Sequence, residues 1–177
     1  MEYAIAIWNF GWQAEDALRR LDDCAVWGFD VISFHPQQLL EMTPEARQTV
    51  VGKVRDLGFD VTVHGHCDQT KDEIAATASL FGDRLRAYSF DAAMVSEPRG
   101  YIYDVDRIAQ VLGWAEEVTA GPGARFGMED FPLDAMALDF CEGKLDRFLD
   151  NPRYGLLIDL GHMHLRMSQS RYFEDMS

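Results

Sequence analysis

Two textures take turns along this chain. Short apolar runs rich in Val, Ile, Phe and Tyr cover Tyr3–Phe10, Asp30–His35, Asp60–His66, Leu85–Ala92, Arg125–Phe131 and Tyr154–Leu160. Their near-continuous apolar character predicts strands covered on both faces, as parallel strands are. Between them, Gln13–Trp27, Thr43–Leu57, Lys71–Phe81, Val105–Thr119 and Leu133–Leu149 carry apolar residues three or four apart and predict helices. In the first helix Ala14, Ala17, Leu18 and Leu21 share a face, and Gly28 supplies the stop. The second opens on Thr43-Pro44-Glu45, an N-cap followed by proline, and stops at Gly58. The last is expected to break near Gly143.

Strand, helix, turn, strand is the βαβ rhythm, used by closed barrels and by open doubly wound sheets. The first βα turn, Trp8-Asn9-Phe10-Gly11-Trp12, lacks the GxGxxG fingerprint, and no Walker A sequence occurs, so dinucleotide and P-loop folds lose support. The expected fold is therefore α/β, a parallel (β/α) TIM-type barrel. No linker divides the chain, because Gly121-Pro122-Gly123 reads as a helix-to-strand turn, so residues 1–177 are expected to form a single domain. A full barrel takes about 250 residues. With 177 residues, six strand–helix units are expected, with the barrel incomplete at the C-terminus. Its two open strand edges leave room for a homo-oligomer.

Composition narrows the partners. The chain is 47% hydrophobic and 26% charged, ordinary for a globular domain. Its formal charge of −14 argues against nucleic-acid backbones and anionic membranes. Cys24, Cys67 and Cys141 are odd in number, widely spaced and free of any CxxC, which fits a reducing, cytoplasmic setting. The apolar run at Met1–Phe10 is interrupted by Glu2 and Asn9 and has no basic flank, so it is not expected to be a signal peptide. No apolar stretch approaches the roughly 18 residues of a membrane span.

Active sites of parallel α/β folds sit at the C-terminal ends of the strands. All five histidines fall at such ends: His35, His64, His66, His162 and His164. Asp91, Glu129, Asp130 and Asp159 join them. Histidine with carboxylate at one rim is the composition of a divalent-metal site. Asp159, closing an apolar strand before Leu160-Gly161-His162, is costly there unless paired or metal-bound. Glu129 stands in the same position one unit earlier. Adjacent strands lie about 5 Å apart, so Glu129 and Asp159 are expected to reach one ion. His64 is expected to face the pocket and His66 to face away from it. His35, before Pro36, reads as a strand-end residue, and Trp8 as a packing residue or an aromatic floor for a sugar.

Glu129-Asp130-Phe131, with Leu157-Ile158-Asp159-Leu160-Gly161-His162 beyond it and Val61-Thr62-Val63-His64 before it, resembles the xylose-isomerase-like barrel superfamily of sugar isomerases, epimerases, inosose dehydratases and endonuclease IV-type repair enzymes. The resemblance runs along the whole chain by strand order. It implies metal ligation by Glu129 and Asp159, with Mn²⁺, Mg²⁺, Co²⁺ or Zn²⁺ as the ion. It implies substrate contact by His64 and His162; Trp8 joins them as a candidate substrate contact on the general ground that aromatic floors under sugars are common.

The implied function is a metal-dependent sugar or cyclitol isomerase or epimerase. Glu129 would remove a proton next to a metal-chelated carbonyl, with a small sugar or polyol as partner. The remaining ligands of such enzymes, from the seventh and eighth strands, have no counterpart in this chain. An incomplete or inactive barrel that needs a partner is the alternative. An endonuclease IV-like phosphodiesterase is a lesser one, because the strand-four position where a second histidine is needed reads Tyr88-Ser89-Phe90-Asp91.

Overall fold

The computed structural model describes residues 4–96, 100–119, 123–129, 139 and 142–159. Asp130, Cys141, His162 and His164 lie outside the described residues. Six parallel strands form one sheet: β1 (Ala4–Ala6), β2 (Val31–Phe34), β3 (Asp60–His66), β4 (Leu85–Asp91), β7 (Arg125–Glu129) and β8 (Tyr154–Leu157), in that spatial order. Spatial order follows chain order throughout, as in a barrel wall laid down one unit at a time. The chain is thus a six-unit partial (β/α) barrel. Among the described residues β1 pairs only with β2, and β8 only with β7.

Capping chemistry bounds the helices, at Gly28 and Thr43 where the sequence predicts it and at two further starts. α1 (Ala14–Trp27) ends at Gly28, whose φ of 78° is the left-handed stop that glycine provides. α3 (Pro44–Asp56) starts where the Thr43 hydroxyl accepts from the Ala46 N–H. α4 (Lys71–Phe81) opens with a full capping box between Thr70 and Glu73. Asp104 caps α5 (Val105–Val118). Of the helix predicted over Leu133–Leu149, residues 142–145 form a turn at Gly143, φ 72°, and α6 (Asp146–Leu149) follows it.

Four features depart from the sequence reading. The first strand is short, because Ile7–Phe10 curls into a 3₁₀ turn that lifts Trp8 to the rim. A six-residue helix, α2 (Pro36–Glu41), follows β2 directly, with His35 as its N-cap and Pro36 at its first position. An antiparallel hairpin, β5 (Ala93–Ser96) with β6 (Gly100–Tyr103), is inserted between β4 and α5. In addition β8 stops at Leu157, so Asp159 stands beyond the strand rather than within it.

The core lies between the sheet and its helices. Ile32, Phe34, Val61, Val63, Tyr88, Phe90, Phe126 and Met128 are buried on the outer face against Leu21, Val50, Val54, Ile74, Ile108 and Leu112 from the helices. The inner face is different. Register sets Thr62 beside Ala87, and His64 in a row with Ser89, Gly127 and Gly155. Above that row, nearest the C-terminal rim, stand His66, Asp91 and Glu129. The small residues below leave a cavity of about 630 Å³ along the inner face, crowned by the polar row.

Candidate metal centre at the strand rim

Glu129, Asp91 and His64 converge at this rim. Residues i and i+2 on a strand share a face, so the successive inward positions of β3 are Thr62, His64 and His66. His64 reaches up from its row, and its Nε2 lies 3.2 Å from an Asp91 carboxylate oxygen and 3.0 Å from a Glu129 oxygen. One ligand atom from each of the three residues lies within 4.8 Å of the other two. Glu129 is buried, with its side chain 6% exposed, and Asp91 is 15% exposed.

Two buried carboxylates side by side repel unless a cation stands between them. In the metal-free protein that cation is His64. Burial works against its charged form, but hydrogen bonds to Asp91 and Glu129 outweigh this and raise its pKa to about 9. Burial pushes the Glu129 carboxyl upward, and its neighbour Asp91 adds to the rise. Burial opposes ionisation of Asp91 as well, yet the His64 and His66 hydrogen bonds hold it well below the usual carboxylate range. The two carboxyls are thus pushed in opposite directions, Glu129 up by burial and Asp91 down by its histidine partners.

Hydrogen-bond partners assign the ring tautomers. The Ser89 hydroxyl donates to the Val63 carbonyl at 3.4 Å, so at 3.0 Å it accepts from the Nδ1–H of His64. That leaves Nε2 of His64 to face the carboxylates, the arrangement by which outer hydrogen bonds orient a histidine ligand. His35 does the reverse. Its Nδ1 accepts from the Gln37 N–H at 3.3 Å, so its Nε2–H donates to His66 Nε2 at 3.1 Å. His66 Nδ1–H in turn faces Asp91 at 2.8 Å. Burial, and then the neighbouring imidazole of His66, lower the His35 pKa to about 4, while the hydrogen bond to Asp91 raises that of His66.

The donor set fits a divalent ion. One imidazole nitrogen and two carboxylates suit Mn²⁺, Zn²⁺ or Co²⁺ and accept Mg²⁺, and the pre-set Nε2 of His64 needs only to exchange its proton for the metal. The site can therefore concentrate a divalent cation at the mouth of the cavity.

The residues singled out from sequence are distributed as follows. Glu129 and His64 are in the cluster. Trp8 lies over it, its indole stacked on the His64 ring at 6.2 Å between centroids and 9° between planes, with an edge contact to His35 at 5.6 Å. Asp159 lines the same cavity as Glu129 and Trp8 but stands outside the three-residue cluster. His162 lies outside the described residues. His66 does not face away from the pocket; it shares the inner face with His64 and binds Asp91, a correction that the period of a strand requires. His35 is more than a strand end, since it caps α2 and supports His66. Asp91, one acid among several in the sequence, is the third member of the cluster. The signal for it was the His64-Gly65-His66 pair on the adjacent strand, but only the register His66↔Asp91 shows which acid the histidines meet.

No protein-family model matches the chain, and no curated protein matches it by sequence. Solved structures do. A D-psicose 3-epimerase determined in the presence of D-fructose superposes with a TM-score of 0.59 at 15% identity, covering 93% of this chain and 65% of that one. The probable 3-DHS dehydratase involved in petrobactin synthesis from Bacillus anthracis gives 0.61 at 14% identity, covering 92% and 64%. A xylose isomerase domain protein from Alicyclobacillus acidocaldarius gives 0.54 at 16% identity, covering 94% and 66%. The chain thus spans about 65% of the length of the first of these. At such identities the likeness shows the fold alone: six successive units of a parallel (β/α) barrel, as in these structures.

Proposed function

We propose that the rim cluster is the metal site of a sugar or cyclitol isomerase or epimerase, which begins its reaction by removing a proton from the carbon beside a carbonyl. The observation that carries this reading is the convergence of His64, Asp91 and Glu129 at the C-terminal mouth of a barrel cavity. The similar structures named for epimerase and isomerase activity agree with it.

A divalent ion bound there supplies Lewis-acid polarisation of the carbonyl. Glu129 is the base of the reading. The C–H proton passes to its carboxylate while the bonding electrons move onto the carbonyl oxygen. Burial of Glu129, by raising its pKa, brings its basicity closer to the working range of a general base. Asp91, kept ionised by its histidine partners, holds negative charge on the ligand set when Glu129 takes the proton. His64 and Trp8 bound the cavity where the sugar would lie, and Asp159 lines it as a further proposed ligand; the resemblance adds His162, outside the described residues, as a proposed substrate contact. A dehydratase-type lyase shares the first proton abstraction, so the test addresses that step before product identity. Buried free thiols at Cys24 and Cys67 suit the reducing cytoplasm in which the reading places the enzyme. Among the described residues no helix is long and apolar enough to cross a membrane.

The test is exchange. Incubation of the full chain with Mn²⁺ and a panel of ketoses in D₂O is expected to place deuterium on the carbon next to the carbonyl of at least one sugar, by mass spectrometry or NMR. Glu129→Gln is expected to slow that exchange about 10²–10⁴-fold. Absence of exchange with every ketose in a metal-loaded protein contradicts the reading.

A further inference from the structure

Arg107 stands on the first turn of α5, far along the chain from the cluster, yet its guanidinium spends its donors on the loop that leaves β3. Nε–H donates to the Cys67 carbonyl at 2.7 Å. Nη2 donates to the Asp68 carbonyl at 3.3 Å and to the Gln69 carbonyl at 2.8 Å. Nη1 donates to the Gln110 side chain at 2.6 Å, and the guanidinium plane lies 4.9 Å from the Trp114 ring centroid. One side chain thus caps three successive carbonyls immediately after His66. Only the planar, multi-donor fork of arginine can do this; the single ammonium of lysine cannot match the geometry.

The loop so held is tied to the metal ligands from two further sides. The Cys67 thiol donates to the backbone carbonyl of Asp91. The Gln69 side chain accepts from the Tyr88 hydroxyl at 3.2 Å, and its Oε1 packs so closely under Gly65 that a Cβ there would collide with it. Gly65 sits between the two rim histidines. The path from Arg107 therefore runs through Cys67 to Asp91, and through Gln69 to the His64-Gly65-His66 segment.

We infer that Arg107 is a positioning residue for the metal centre: by capping the carbonyls of residues 67–69 it fixes the β3 and β4 ends, and so the separation of His64 from Asp91. This rests on the metal reading above. Arg107 touches none of the three ligands itself, and its effect is geometric. Loss of outer-shell supports of this kind costs about 10–100-fold in metal affinity.

The experiment measures Mn²⁺ affinity by calorimetry and the visible absorption spectrum of the Co²⁺-loaded protein, using the full chain. The variants are Arg107→Ala, Arg107→Lys and Val111→Ala. Val111 is fully buried on α5 and makes none of these loop contacts, so its truncation destabilises the same helix without releasing the loop. Arg107→Ala is expected to weaken Mn²⁺ binding about 10–100-fold and to shift the Co²⁺ bands, which report ligand geometry. Val111→Ala is expected to lower the melting temperature yet leave both readouts as in the wild type. Should Arg107→Ala fail to fold, Arg107→Lys carries the test, with an expected loss of affinity and a partial shift of the bands. Arginine variants that melt lower but bind Mn²⁺ and display Co²⁺ bands as the wild type does reduce Arg107 to a structural role and overturn the inference. A wild-type chain that binds no metal overturns the functional reading, and this inference with it; wild-type binding with unaltered variants overturns this inference alone.

Discussion

The two faces of the sheet share the same strands but obey different rules. On β3, Val61 and Val63 are buried outward against helices, while Thr62, His64 and His66 point inward. On β4, Tyr88 and Phe90 pack outward, while Ala87, Ser89 and Asp91 line or crown the cavity. The outer face holds the fold together by apolar burial. The inner face carries small residues below and a polar row above. Because side chains alternate every residue, stability and chemistry are written on adjacent positions, and a substitution one residue away should change the kind of effect and not only its size.

The largest effects that sharpen this contrast lie in the inner row. Asp91→Asn is expected to weaken Mn²⁺ binding by more than about 100-fold, beyond the range for losing an outer support, and also to lower the melting temperature of the metal-free protein, because the variant loses the charge that pairs with His64 and His66. Calorimetry and thermal melts check both halves. Next in size is Ile32→Ala on the outer face. Ile32 is fully buried, and its truncation is expected to cost about 2–5 kcal/mol of stability. Urea unfolding measures the cost, and Mn²⁺ affinity of the folded protein should not change. A clear loss of metal affinity in this variant would break the separation of the two faces.

Ser89→Ala is an inner-face change of intermediate size. Ser89 holds the Nδ1–H of His64, so its removal is expected to lower Mn²⁺ affinity about 10-fold, at the low end for an outer support, with little change in stability. The proton offers a further contrast. His64 has a folded pKa of about 9 against an ordinary 6.5. Its charge therefore stabilises the metal-free protein fully below pH 6.5, and that contribution is lost as pH rises through about 9. Metal binding must displace the same proton, so Mn²⁺ affinity should rise with pH over the same window. Metal-free melts are expected to fall between pH 6.5 and 9, whereas melts at saturating Mn²⁺ stay level, because the gain in affinity offsets the stability lost with the proton. The smallest effect belongs to Ser33, Ile32's inward neighbour on the cavity wall: Ser33→Ala is expected to stay within about 0.5 kcal/mol of the wild type.

Much of this was legible in the sequence, and the reasons are local. Six strands were marked by β-branched and aromatic runs, and the helix start at Thr43 and the stops at Gly28 and Gly58 used local backbone chemistry. That all histidines fall at strand ends pointed to the rim. What could not be read was which strand ends stand level. Register between β3 and β4 shifts at Val61/Thr62, and that shift decides that His66 meets Asp91 and that His64 reaches both acids. The sequence also paired Glu129 with Asp159, since both follow apolar runs; β8 ends at Leu157, opposite Glu129, and Asp159 lies two residues farther along the chain, on the wall of the same cavity. His35-Pro36 carried a readable start signal for α2, since proline at the first helical position needs no N–H. The clamp by Arg107 had no sequence signal, because it joins residues about forty positions apart.

The central claim is that His64, Asp91 and Glu129 form one divalent-metal site. Calorimetric titration of the purified chain with Mn²⁺ at pH 8, beside Asp91→Asn and Glu129→Gln, tests it most directly. The account predicts one ion bound per wild-type chain and binding lost or weakened by more than about 100-fold in both variants, beyond what removal of an outer support causes. A wild-type chain that binds no Mn²⁺, or variants that bind it as tightly as the wild type, would contradict it.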